Sequence, residues 1–200
     1  MTRKKRDLFP ASEPSEDLAA IEALPDFSKQ FGLQSLESAA GIIAVRMRLS
    51  DVRKALQSRE HNSPYEKNLF RRDLVISAKN VILFQLRKHG WMHILPCDPK
   101  SGAKVASDLN ELIAPEMVLF EYESSSASGF LRYYRDGETR KMIESARREG
   151  TFENEVKQEL RKLQLYLPPL PRAAIVPGAS LNAEVFGNPR DFAEMDAAEF

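Results

Sequence analysis

The chain has 200 residues, 42% hydrophobic and 29% charged, which is enough apolar material for one sizeable core. Its 29 basic and 29 acidic side chains cancel, so steering of the whole molecule onto nucleic acid or a membrane is not expected. The single cysteine, Cys97, excludes an intrachain disulfide and a cysteine-based zinc site, and it suits a reducing cytoplasm.

Residues 1–14 carry charge, serine and two prolines and read as a disordered lead-in. No apolar stretch follows the basic start, so it is not read as a secretory signal, and no run approaches the ~18 residues of a membrane span. Ser15 is placed to cap a short helix over 16–24, with Leu18, Ile21 and Leu24 on one face. Residues 41–49 read as a strand with Ile43, Val45 and Met47 on one side and Arg46 and Arg48 on the other. Ser50 then caps a helix over 51–58. After a loop at 61–65, residues 74–76 suggest another strand.

Residues 80–95 form the most telling stretch. They read as a β-hairpin with Ile82, Phe84, Leu86, Met92 and Ile94 on one face. Val81, Leu83, Gln85, Arg87, Trp91, His93 and Leu95 fall on the other. A three-residue turn, Lys88-His89-Gly90 with Gly90 left-handed, sets Arg87 opposite Trp91 and Gln85 opposite His93. Arg87 would then lie over Trp91, and His89 would sit in solvent at the tip.

Further along, 103–113 is an amphipathic helix stopped by Pro115, with Val105, Leu109, Leu112 and Ile113 inward. A meander over 117–143 follows: strands at 117–122, 130–135 and 138–143. Its first two strands are joined by the Ser-rich loop 123–129 and its last two by Asp136-Gly137, which suits a type I′ turn. Glu121 would pair with Arg132 if the first two strands form a tight hairpin. Thr151 caps a helix with Phe152, Val156, Leu160 and Leu163 at helical spacing. The expected organisation is therefore a tail at 1–14, one domain over 15–166, and a Pro-rich connector with an acidic tail over 167–200. The fold class is α+β, a mostly antiparallel sheet (central hairpin 80–95 plus meander 117–143) with helices packed on one face.

Catalytic chemistry has three candidates. His93 could act as acid or base within a polar pocket shared with Gln85, Arg87 and Trp91. Cys97 could serve as a nucleophile with His93 as base, and Asp98 is a nearby carboxylate. A catalytic histidine needs an orienting carboxylate, and nothing in the sequence puts Asp98 within its reach, so the plainer reading of His93 is a core histidine. His61, His89 and His93 lack metal-ligand spacing, the 124–126 serines lack the glycines and following helix of a phosphate loop, and no cofactor is implied.

Binding features are more prominent. Arg132, Tyr133, Tyr134 and Arg135 interleave aromatic rings with charge, and with Trp91 they are the expected contact residues for a protein partner. Charge is also uneven. Residues 46–72 carry eight bases against three acids, and 183–200 carry five acids against one base. The two segments could dock on each other, and the basic one could face nucleic acid, though solvated surface is the simplest account.

The motif order Phe84-Gln85-Leu86, Gly90-Trp91, the helix at 106–112, Glu121-Tyr122, Gly129-Phe130 and Asp136-Gly137-Glu138 is continued in the tail by Asp191-Phe192 and Met195-Asp196. This order resembles that of uncharacterised bacterial proteins, and small α+β chains of this texture also resemble immunity and other interaction proteins. Such proteins bring no established activity with them. The lack of a catalytic constellation, the Tyr and Arg cluster on exposed strands and ends that could dock lead instead to the expectation of a non-enzymatic, cytoplasmic, protein-binding factor, immunity-like or regulatory. The alternatives are a small hydrolase or transferase centred on His93 and a nucleic-acid binder using residues 46–72.

Overall fold

A computed structural model describes residues 24–59, 65–67, 69, 74–145, 151–171, 175, 177–181 and 183–199. Chain order begins with β1 (Gly32–Leu33), β2 (Ile42–Val45), α1 (Leu49–Arg59), β3 (Tyr65–Glu66), β4 (Leu74–Val75), β5 (Asn80–Leu86) and β6 (Met92–Pro96). It continues with α2 (Gly102–Ile113), β7 (Met117–Glu123), β8 (Ser128–Arg135), β9 (Glu138–Glu144), α3 (Thr151–Lys162), β10 (Tyr166–Leu167), β11 (Ser180–Leu181) and β12 (Phe192–Glu199). The expectations for 1–14, for 16–23, for most of the 61–65 loop and for any helical bend after residue 145 lie outside the described residues.

Eight strands form one antiparallel sheet in the order β3-β12-β5-β6-β2-β7-β8-β9. The meander appears where its alternation and turn chemistry put it. Asp136 and Gly137 both adopt positive φ, 55° and 78°, as a type I′ turn requires. A Gly137→Ala substitution is expected to cost about 1 kcal/mol, because a Cβ disfavours this backbone conformation. Urea unfolding of the variant checks it.

The strands alternate between two separate cores, so both faces of the sheet are covered. Ile43, Val45, Leu83, Met92 and Ile94 face Leu49 and Val52 of α1 and Val105 and Leu109 of α2. Ile42, Ala44, Ile82, Phe84 and Leu95 face Phe152, Val156 and Leu160 of α3. The α+β class holds, but the helices do not share one face. The central strands β2, β5 and β6 and the first half of β7 are near-continuous apolar runs, and two apolar faces need two covers.

The central hairpin slips by one residue from the expected register. Gln85 pairs with Met92, Phe84 with His93 and Leu83 with Ile94. A one-residue slip moves every side chain of one strand to the other face. His93 and Leu95 therefore join Phe84, whereas Met92 and Ile94 join Leu83. The left-handed turn residue is Lys88 (φ 58°), and Gly90 is not left-handed. Gln85 Nε2 staples the loop by donating to the carbonyls of His89 (2.7 Å) and Trp91 (3.1 Å).

Two smaller differences follow from local geometry. β2 ends at Val45, before the alternating arginines, and α1 begins at Leu49, so Ser50 lies in its first turn instead of capping it. The acidic C-terminal segment becomes β12, an inner strand running from Phe192 to Glu199 between β3 and β5. Arg53 of α1 reaches down to it. Its Nε donates to Asp196 Oδ2 at 2.9 Å and its Nη2 to Glu194 Oε2 at 3.1 Å. The basic and acidic segments thus dock on each other at this point.

Candidate functional site

His93 sits on β6 with its side chain fully buried against Phe84, ring centroids 5.0 Å apart and nearly parallel. Its Nε2–H donates to the backbone carbonyl of Tyr166 at 2.8 Å, and its Nδ1 has no hydrogen-bond partner among the described residues. His89 is buried as well, not solvated at a turn tip, and its ring lies 5.6 Å from that of His93. Nε2 of His89 accepts the Tyr166 N–H at 3.2 Å, and its Nδ1 lies within hydrogen-bond distance of both the Trp91 N–H (3.2 Å) and the Trp91 carbonyl (3.3 Å).

This pair has a structural job. β10 pairs in parallel with β1, and Gly32 N–H donates to Leu165 O at 2.8 Å. In such a ladder the N–H and C=O of Tyr166 point away from β1. The two imidazoles take the place of a further strand and satisfy both groups. Burial pushes both imidazoles towards the neutral form, with His93 lowered to about 3 and its neighbour His89 adding to the effect.

The other proposed catalytic groups do not converge on His93. Asp98 accepts from Lys100 N–H at 2.9 Å and caps the short 3-10 turn Pro99–Ser101. Cys97 is a buried cysteine, in no disulfide, in the α3-side core. Two clefts of about 710 and 730 Å³ open on the described surface, and neither is lined by His93, Cys97 or Asp98. Among the described residues, no three histidine, cysteine or acidic side chains gather as a metal site.

Alternation divides the expected contact residues. Trp91 is buried, and its Nε1–H donates to Leu163 O at 3.2 Å, just past α3. That carbonyl closes a Schellman-type end in which Gln164 is left-handed (φ 53°) and Leu165 N–H returns to Leu160 O. The cation over the Trp91 ring is Arg46, at 5.1 Å, and not Arg87. Arg46 also pairs with Glu116 at 3.2 Å, and the Tyr133 hydroxyl donates to the same carboxylate at 2.9 Å. Tyr133 therefore points into the α3-side core, and burial together with Glu116 raises its phenol above the ordinary range.

Arg132 and Tyr134 point to the opposite face, where Tyr134 and Phe130 pack, half-buried, at the margin of the α1–α2 core. There Arg132 lies 5.4 Å over the Phe130 ring and donates to the Tyr134 hydroxyl at 3.3 Å. Met142 of β9 stands directly opposite Arg132 and is 42% exposed. Glu121 stands directly opposite Phe130 across the ladder, with Arg132 opposite Leu119. Arg135 is exposed at the strand end, beside Asp136. Sequence reading missed Met142 and Phe130 as members of this patch. Their period-two placement relative to Arg132 was the available signal, but it needs the β8–β9 register to be used.

β9 is an edge strand, and its seven residues include Glu138, Arg140, Lys141 and Glu144. The ladder shifts register next to Tyr133 and Tyr134, leaving Arg140 as the extra residue, paired to Glu138 at 3.0 Å. Charge and a bulge are how natural sheets discourage indiscriminate edge pairing.

Within the basic 46–72 segment, Arg46, Arg53 and Lys54 are each matched to an acid. No helix among the described residues is long and apolar enough to cross a membrane. No family model, curated protein or solved structure matches the chain.

Proposed function

We propose that the protein is a non-enzymatic, cytoplasmic binding factor, immunity-like or regulatory, that engages a partner protein through the β8–β9 face. The observation that carries this reading is the cluster of half-buried Phe130, Arg132 and Tyr134 beside exposed Met142. Aromatic, Met and Arg side chains are the types enriched in interface centres. Arg132 is held between a ring and a hydroxyl, so little side-chain freedom remains to be lost on binding. Met142 supplies an adaptable apolar contact. The partner would bring a carboxylate to Arg132 and an apolar side chain to Met142. The enzymatic reading has weaker support, since His93 is enclosed and is bonded to Tyr166 O rather than to a carboxylate. The nucleic-acid reading is weakened by the acid partners of Arg46, Arg53 and Lys54.

An affinity pull-down from native extract after nuclease treatment, quantified by mass spectrometry, tests this. The double variant Arg132→Ala/Tyr134→Ala is expected to lower recovery of a stoichiometric partner by at least about tenfold, the scale of one interface hot spot. A Lys104→Ala variant should leave recovery unchanged. Recovery that survives the double substitution, or that disappears with nuclease, overturns the reading.

A further inference from the structure

We propose that the cleft between β12 and the turn leading into it binds a small phosphorylated ligand, held by Arg87, Arg190 and Lys67. The cleft measures about 710 Å³, within the roughly 300–1,000 Å³ span of small-molecule sites. Four cations line it, Arg53, Lys67, Arg87 and Arg190, against two acids, Glu194 and Asp196. Both acids are already bound to Arg53. Among the described residues, no carboxylate pairs with the other three cations, so the cleft keeps a positive excess with nothing in the chain assigned to it.

Arg87 is built into this site. Its N–H donates to Asp191 O at 2.9 Å, its carbonyl accepts from Phe27 N–H at 3.1 Å, and its Nε donates to Arg190 O at 2.6 Å. The backbone at Arg87 and the Nε edge of its guanidinium are thereby anchored, and among the described residues its two Nη nitrogens bond to no protein acceptor. A planar fork held in this way suits bidentate contact with phosphate oxygens. Arg190 stands on the 3-10 turn Pro189–Asp191, which Asn188 caps through a 3.0 Å bond to the Arg190 N–H. The two arginines are thus tied to one another through backbone, not through a shared acid. Pro189 and Phe192 give the cleft an apolar wall on which the body of a phosphate ester can rest. The three cations that no described carboxylate pairs lie within one cleft and not along an extended track, which favours a compact ligand over a nucleic-acid strand.

Isothermal titration with sodium pyrophosphate and, separately, with magnesium-free ATP tests the site. Saturable binding is expected, weakened at least tenfold by Arg190→Ala and by Lys67→Ala, and unchanged by Lys104→Ala. Arg87→Lys keeps the charge and loses the fork, and it should also weaken binding. Arg190 and Lys67 are exposed, so their truncation leaves the fold intact, which the unfolding midpoint verifies. Tighter binding of ATP than of pyrophosphate assigns the apolar wall to the nucleoside. Equal binding assigns recognition to the phosphates alone. Absence of saturation with both probes, equal binding by Arg190→Ala and wild type, or tighter binding of single-stranded DNA than of ATP overturns the proposal.

Discussion

Acidification to about pH 5 is expected to cost the protein about 2 kcal/mol through His93 alone. In the folded chain burial holds this imidazole neutral down to about 3, whereas in the unfolded chain it titrates near 6.5. Between these values only the unfolded state binds the proton. The contribution to stability is therefore complete above pH 6.5 and is lost as pH falls towards 3. His89 acts in the same direction, because burial lowers it too. The bonding explains why protonation is resisted. A neutral His89 Nε2 accepts the Tyr166 N–H, and a proton there would set donor against donor. Urea unfolding at stepped pH, followed by Trp91 fluorescence, should show stability declining below pH 6.5. A His93→Gln variant should show a shallower decline whatever its absolute stability. Parallel pH profiles for variant and wild type would contradict the account.

Loss of the Arg53 side chain is expected to be the most damaging single charge removal on the α1 side. Asp196 is only 2% exposed, and Arg53 spans it and Glu194. Arg53→Ala leaves a carboxylate facing the α1–α2 core without this partner, at a cost of about 3 kcal/mol. Asp196→Ala should cost less, because Arg53 is 21% exposed and keeps Glu194. Chemical denaturation of both variants gives the comparison. If Asp196→Ala were the more destabilising, the packing of β12 and not the uncompensated charge would be the governing term.

The meander and the helices at 102–113 and 151–162 were legible because their signals are local. Alternating apolar residues, an Asp-Gly turn and 3.6-residue spacing act within a dozen positions. The hairpin register was not legible. The turn around Lys88 admits two loop lengths, and the stapling of its carbonyls by Gln85 selects one of them. That single step moved His93 from a polar cluster to the ring of Phe84. The fates of Trp91 and Tyr133 depend on distant partners, Leu163 and Glu116, which no local pattern announces. Arg132 and Tyr134 carried a readable signal of alternation, but Met142 joined them only through cross-strand pairing.

By itself, the sequence determined the α+β class, the type I′ turn at Asp136-Gly137, the helical faces of Val105, Leu109, Phe152, Val156 and Leu160, and the absence of an intrachain disulfide. These follow from short-range sterics, periodicity and residue inventory. Tertiary structure decided that helices cover both faces, that the acidic tail becomes an inner strand anchored by Arg53, and that two histidines close the edge of β10. These depend on which apolar face finds which cover and on where buried polar groups find partners, and both are settled only when residues far apart in the chain meet.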